Sequence, residues 1–263
     1  MSERVLVLMY HRVGEVRSAQ ESRYCVAPRR FARHMQRLAN QGFRAVGIDA
    51  LVAWLEGGPP LQPGDFVLTF DDGFRGVLEH AHPVLRQMGW PYTVFLVSDL
   101  LGGVDAWNRR DAAANTTFPL LTPAEVLQMQ SDGCSFHSHT RTHASLPALD
   151  DTALASEVAG SRAALGDLLG RPPDYLAYPF GHLNERVEAA ARAAGYRAAF
   201  SVQPGFNRRG VNFHRIRRLD VFGTDTPSML LRKMHLGTND GSLRNWLGYY
   251  LHQLLARIPL PRA

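Results

Sequence analysis

The chain has 263 residues, 45% of them hydrophobic, enough for one large core within the size a single α/β domain reaches without splitting. Its two cysteines, Cys25 and Cys134, exclude a disulfide framework and lack the spacing of a zinc knuckle, so both read as buried thiols. The net charge of +5 is uneven: residues 205–263 hold ten Lys or Arg against three Asp, and the rest is slightly acidic.

In chain order, residues 1–4 run into an apolar stretch over 5–10 that is too short for a signal peptide or a membrane span, so a cytoplasmic location is expected. That stretch reads as a strand ending at His11. A helix over 28–40 carries Phe31, Met35 and Leu38 on one face, and strands are expected over 43–48 and 66–70. The run over 66–70 delivers Asp71 and Asp72 to a turn at Gly73. A helix over 74–88 and a strand over 92–97 follow, then a long segment containing Trp107 and Asn108. Its length marks a functional loop, in which Trp107 either stacks on a ligand or pins the loop to the domain.

Thr122-Pro123-Ala124-Glu125 is a capping box with Pro in the first turn. A strand over 134–138 runs into His139-Thr140-Arg141-Thr142-His143, and a long helix is expected over 151–169. A strand over 175–178 leads into Pro179-Phe180-Gly181, a helix over 184–194 stops at Gly195, and a strand covers 197–202. Residues 229–236 read as a helix after Thr226-Pro227. In the tail over 242–258, Leu243, Trp246, Leu247, Tyr250, Leu251, Leu254 and Ile258 recur at helical spacing. Residues 1–240 are expected to form one α/β domain, with 241–263 as an amphipathic helix belonging to it.

Strand-then-helix repeats imply parallel strands with helices outside, in a barrel or an open sheet. In a barrel, chemistry collects where strands end, and His11, Asp71, Asp72, His139 and Phe180 all fall there. Either Asp-Asp-Gly or His-x-x-x-His alone is unremarkable, the first being commonly a solvated turn. Together they supply two imidazoles and a carboxylate for a divalent cation, with a second carboxylate to take a proton from water.

Thr69 to Gly73 and Ser138 to His143 resemble the first and second motifs of the polysaccharide deacetylases, carbohydrate esterase family 4 with the NodB-homology domain. Tyr178-Pro179-Phe180-Gly181 resembles the third, and the similarity extends from residue 6 to about 221. The resemblance implies a distorted (β/α) barrel of about seven parallel strands. It also implies metal-dependent de-N-acetylation of an N-acetylhexosamine-containing glycan or glycoconjugate, with release of acetate. Asp71 corresponds to the base, and Asp72, His139 and His143 correspond to the ligands of a cation. That donor set suits Zn²⁺ first, and also Co²⁺, Ni²⁺ or Fe²⁺. Phe180 stands at the family's oxyanion position.

Three positions depart from the pattern. Ala177 stands where many members carry an Arg that pairs with the base; Arg218 resembles the Arg that other members carry before a late strand, and otherwise belongs to a basic cluster. The last motif, Leu-x-His, is missing; Met234-His235 comes nearest, and His235 reads as a surface or packing residue. Met9-Tyr10-His11 resembles the first strand of exopolysaccharide-type members, which makes His11 the candidate acid or a histidine hydrogen-bonded within the barrel mouth. His137 stands where relatives carry a small residue, on the side of His139, so it either neighbours the metal or replaces a ligand.

The expected substrate is an N-acetylated sugar in a polymer or linked to a nucleotide or lipid. A nucleic-acid partner is not expected, since the basic end carries no recognition motif. The tail over 242–258 either lies on a membrane surface or packs on the barrel or a second subunit. A glycan-binding pseudoenzyme on the same fold is the alternative, suggested by the departures at Ala177 and the last motif.

Overall fold

The computed structural model describes residues 2–16, 21–107 and 117–248. Seven strands carry the fold: β1 (Leu6–Tyr10), β2 (Asp65–Phe70), β3 (Thr93–Leu96), β4 (Ser135–Ser138), β5 (Tyr175–Ala177), β6 (Ala198–Phe200) and β7 (Leu219–Asp220). They pair in parallel in the order β7-β1-β2-β3-β4-β5-β6. A bridge from Phe200 to Ile216, just ahead of β7, brings the end of this path back toward its start. The sheet therefore curls into a distorted (β/α) barrel.

The helices are α1 (Pro28–Ala39), α2 (Ile48–Leu55), α3 (His82–Met88), α4 (Pro123–Ser131), α5 (Asp151–Ala155), α6 (Ser161–Leu169), α7 (Glu185–Ala193) and α8 (Pro227–Leu236). Strand alternation sorts the core between them. Leu6, Leu8, Tyr10, Phe66, Leu68 and Phe70 cluster with residues of the outer helices, among them Phe31, Leu85, Val126, Leu165 and Leu230. Val5, Val7, Val67, Phe95, Tyr175, Ala177 and Phe200 form the inner cluster.

Helix α2 joins that inner cluster through Ile48, Leu51, Val52, Trp54 and Leu55. The Tyr175 hydroxyl, at the start of β5, donates to Asp49 at 2.5 Å, so α2 closes the end of the barrel where the strands begin. The expected strand over 43–48 is corrected accordingly: only Arg44–Ala45 pairs, with β2, and Ile48 already opens α2. Ile48, Leu51, Val52 and Leu55 do recur at helical spacing opposite exposed Asp49 and Ala50, but the helix has only eight residues and no side-chain cap to mark its start.

The helices expected over 74–88 and 151–169 each contain a π-helical turn, Val77–Ala81 and Ser156–Gly160. Both arms of the Thr122–Glu125 capping box form, and Cys25 and Cys134 are buried free thiols. Lys233 of α8, the chain's one lysine, is buried; it pairs with Asp225 at 2.5 Å and donates to the Asp220 carbonyl at 3.1 Å, which ties α8 to β7. Residues 243–248 are helical, with Leu243 and Leu247 exposed, and the remainder of the helix expected over 242–258 lies outside the described residues. Among the described residues no helix is long and apolar enough to cross a membrane.

Candidate active site

The ends of β1, β2, β4 and β5 and the segment before β7 bring the candidate residues to one rim. Asp71 continues the alternation that points Val67 and Thr69 inward. Asp72 then takes φ 74° and Gly73 φ 76°, which turns the second carboxylate toward the same rim. The sequence reading gave this role to Gly73 alone; a short polar side chain tolerates the left-handed region, so Asp72 shares it.

His139 follows β4 directly, and its Nδ1 lies 2.8 Å from the Ala177 carbonyl, a bond in which the ring nitrogen donates. Its Nε2 is thereby left to accept. His143 comes after Thr140, and both adopt left-handed backbone, at φ 68° for Thr140 and 62° for His143. The Nε2 atoms of His139 and His143 stand 3.3 and 3.2 Å from Asp72 Oδ1. Neither contact has hydrogen-bond geometry, and Oδ1 is buried without a hydrogen-bond partner.

Those separations fit a cation better than a salt bridge. Zinc bonds of about 2.0–2.1 Å in a tetrahedron imply ligand-to-ligand edges of about 3.3–3.4 Å. Asp72, His139 and His143 are the group of acid and imidazole side chains, among the described residues, whose ligand atoms converge closely enough to hold a metal ion. Electrostatics agree. Burial alone pushes Asp72 up, but the two imidazoles outweigh it and hold the carboxyl far below its usual range. Burial pulls His139 down, and Asp71 with Asp72 more than reverses this. Burial lowers His143 despite Asp72. The rim therefore favours positive charge between these groups, which a divalent cation supplies.

Asp71 is held apart from this trio. Arg218 is fully buried and grips the carboxylate through both ends, Nη1 to Oδ1 at 2.6 Å and Nη2 to Oδ2 at 2.8 Å. Its Nε donates to the Ser201 carbonyl at 3.0 Å, and its guanidinium lies 5.5 Å from the Phe95 ring centre. Burial raises the Asp71 pKa, but the Arg218 charge, followed by His139, leaves it below the ordinary carboxylate value. The guanidinium that Ala177 cannot supply thus comes from the segment closing the barrel.

His11, just beyond β1, lines the same cavity of about 450 Å³ and faces the Tyr24 ring at 5.0 Å. Phe180 adopts φ 57° within Pro179–Gly181; its side chain is half exposed and meets the His143 ring edge-on at 4.5 Å. Trp107 stacks on His143 at 4.3 Å with the planes 22° apart. Of its two expected roles, the one seen is the pinning of a loop to the site, through a metal-ligand candidate; Asn108 lies outside the described residues.

Two histidines stand aside. His137 is packed 4.5 Å from the Tyr175 ring, inside the barrel and outside the converging trio, with both ring nitrogens lacking a partner. Burial holds it neutral, its pKa pushed down to about 3. His235 packs against Phe43 at 5.7 Å and does not line the cavity.

The cavity also includes Arg12, Tyr24 and Asp220, which sequence reasoning did not single out. Asp220 was within reach of it: inward alternation from Arg218 predicts the second residue along. Burial raises its carboxyl, with His11 opposing. Arg12 belongs to a small parallel pair, Arg12–Val13 with Cys25–Val26, and Tyr24 immediately precedes its second strand; neither has a periodic signal.

The profile of the polysaccharide deacetylase family matches residues 59–199, and the chain belongs to that family, carbohydrate esterase family 4 of the NodB-homology type. It is 25% identical to YxkH of Bacillus subtilis, assigned as a polysaccharide deacetylase, over 215 residues covering 82% of this chain and 70% of that one. Among solved structures it resembles the Streptococcus pyogenes deacetylase PplD in complex with acetate, with TM-score 0.76 and 21% identity over 88% of this chain and 98% of the other. It also resembles IcaB from Ammonifex degensii, with TM-score 0.73 and 25% identity over 90% and 97%. The general activity is accordingly carbohydrate deacetylation.

Proposed function

We propose that the chain is a metal-dependent N-deacetylase of an N-acetylhexosamine-containing glycan or glycoconjugate. The observation that carries this reading is the convergence of Asp72, His139 and His143 beside a second carboxylate, Asp71, which is clamped by Arg218 and so kept out of the metal-ligand set. A divalent cation, Zn²⁺ by preference of its donor set, supplies acidification of water and polarisation of the acetamide carbonyl. Asp71, kept ionised by Arg218, takes the proton as water adds to the carbonyl carbon. The Phe180 backbone N–H donates to the developing oxyanion. His11 protonates the departing amine as the C–N bond breaks, and acetate leaves.

The pseudoenzyme alternative arose from a missing guanidinium and a missing last-motif histidine; Arg218 supplies the first at 2.6 Å from Asp71, and His11 lines the same cavity as a candidate for the second, which favours the enzyme. As substrate we infer a nucleotide- or lipid-linked amino sugar, or a glycan intermediate of the exopolysaccharide type. That reading supposes a cytoplasmic enzyme with the tail over 242–258 against the inner face of the membrane. The exposure of Leu243 and Leu247, each 59%, supports such a contact.

Acetate release over a panel of free, nucleotide-linked and lipid-linked N-acetyl sugars, with and without chelator, tests the assignment. Asp72→Ala should lose metal and activity together, whereas Asp71→Asn should keep metal and lose turnover. Near-wild-type turnover in Asp71→Asn would remove Asp71 as the base, and glycan binding without any acetate release would favour the pseudoenzyme.

A further inference from the structure

The short loop between the two histidines is held by a side chain outside the four motifs discussed so far. Glu157, 9% exposed, accepts the backbone N–H groups of Arg141 and Thr142 on one oxygen, at 2.9 and 3.0 Å, and the Thr142 hydroxyl on the other, at 2.6 Å. Two successive N–H groups closing on one anion make a nest, a geometry built from residues of alternating handedness, and Thr140 supplies the left-handed residue at φ 68°.

Glu157 lies in the π-helical turn Ser156–Gly160, which lets consecutive residues face the loop. Ser156 accepts from Arg141 Nη1 at 2.8 Å. A Cβ on Gly160 would lie 2.8 Å from Arg141 Cδ, so a larger residue there would displace that side chain. On its far side, Arg141 pairs with Asp99 at 2.7 Å. The loop is thus gripped between the turn and the end of β3.

We propose that Glu157 is a positioning residue for metal binding: by fixing the Arg141 and Thr142 amides it sets the unfavourable backbone of Thr140 and His143, and so aims His143 at the cation. The inference rests on the metal site proposed above. His143 Nδ1 is buried with no partner of its own, so the ring's direction is set by its backbone and by the Trp107 and Phe180 rings. A change in the carboxylate that holds this backbone should therefore reach the metal.

The test is titration of the chelator-stripped full chain with Zn²⁺ by chelator competition, and with Co²⁺, whose visible absorption reports coordination geometry. Glu157→Ala is expected to weaken Zn²⁺ binding roughly 10- to 100-fold, the range found when partners of metal ligands are removed, and to alter the Co²⁺ spectrum. Glu157→Gln keeps one acceptor oxygen and should lose less. If Glu157→Ala does not fold, Glu157→Gln and Thr142→Val carry the test, each expected to weaken Zn²⁺ severalfold. A lowered melting temperature with Zn²⁺ affinity and Co²⁺ spectrum unchanged would assign Glu157 a structural role only and overturn the proposal. A wild-type chain that binds neither ion would instead refute the metal site itself, and this proposal with it.

Discussion

Replacing Arg218 with Met removes the guanidinium but keeps an apolar stem inside the barrel, and the cost follows from what is left behind. Asp71 is 2% exposed, and the variant loses both arms of its clamp, at 2.6 and 2.8 Å. Breaking a buried ion pair from one side costs about 3–5 kcal/mol, because the remaining charge is stranded. For a domain of this size that corresponds to a fall in Tm of about 6–20 °C at neutral pH. The penalty should depend on pH in a definite direction. In the wild type the folded Asp71 pKa is depressed, so its stabilisation is fully present above the unfolded value of about 4 and is lost as pH falls through the folded one. In the variant, burial dominates and the folded pKa is raised, so the ionised carboxylate destabilises at neutral pH and is relieved as it takes up a proton. The gap between wild type and variant should therefore narrow between pH 7.5 and pH 4.5, measured by thermal unfolding in chelator so that metal does not contribute. A gap that is equal at both pH values, or below about 3 °C at neutral pH where the pair should cost most, would refute a charge stranded at Asp71.

Replacing His137 with Leu removes two buried, unpartnered ring nitrogens, each costing about 1–3 kcal/mol, so Tm should hold or rise and metal affinity should not change; a tenfold loss of affinity would return His137 to the ligand set. Because Trp107 lies 4.3 Å from His143, metal titration should alter tryptophan emission in the wild type and not in Trp107→Phe; an identical response in the variant would mean the stack is absent in solution. Gly181 has φ 70°, and a Cβ there would lie 2.2 Å from Val202 Cγ2, so Gly181→Ala should cut turnover more than tenfold by displacing the Phe180 amide. Full activity in that variant would remove the turn from the mechanism.

Much of the fold was legible because parallel strands buried on both faces appear as near-continuous apolar runs, as in Leu6–Tyr10 and, with Thr69 the one polar residue, over 66–70. Helix α2 was not, since its eight residues carry no side-chain cap and follow directly on an apolar run that reads as strand. Strand β7 has two residues, too few for a periodic signal, although Arg218 ahead of it was placed by resemblance. At the site, the identities of the carboxylates and imidazoles were readable, and the rim brings them together. Trp107 carried two readings that only its contact with His143 separates. Tyr24, Arg12 and Glu157 act through contacts across loops, which no local pattern in the sequence encodes.

Four non-glycine residues adopt positive φ among those described, Asp72, Thr140, His143 and Phe180, and all four lie just past the ends of β2, β4 and β5. Each costs on the order of 1–3 kcal/mol, so the arrangement persists only where neighbouring bonds over-determine it. Those bonds are present. Leu121 N–H donates to the Gly73 carbonyl at 2.9 Å, Ser98 N–H to the Thr140 carbonyl at 3.1 Å, and Gly181 N–H to the Tyr178 carbonyl at 2.9 Å. The geometric reason is the alternation of strand side chains. A regular strand sends neighbours such as Asp71 and Asp72 to opposite faces, and one left-handed residue is the shortest way to bring both to one rim while keeping the barrel strands regular up to Phe70. Strain is therefore confined to the positions that aim ligands and donors. A substitution elsewhere in a strand should change stability without changing the site, whereas one that relaxes any of these four turns should change the site first.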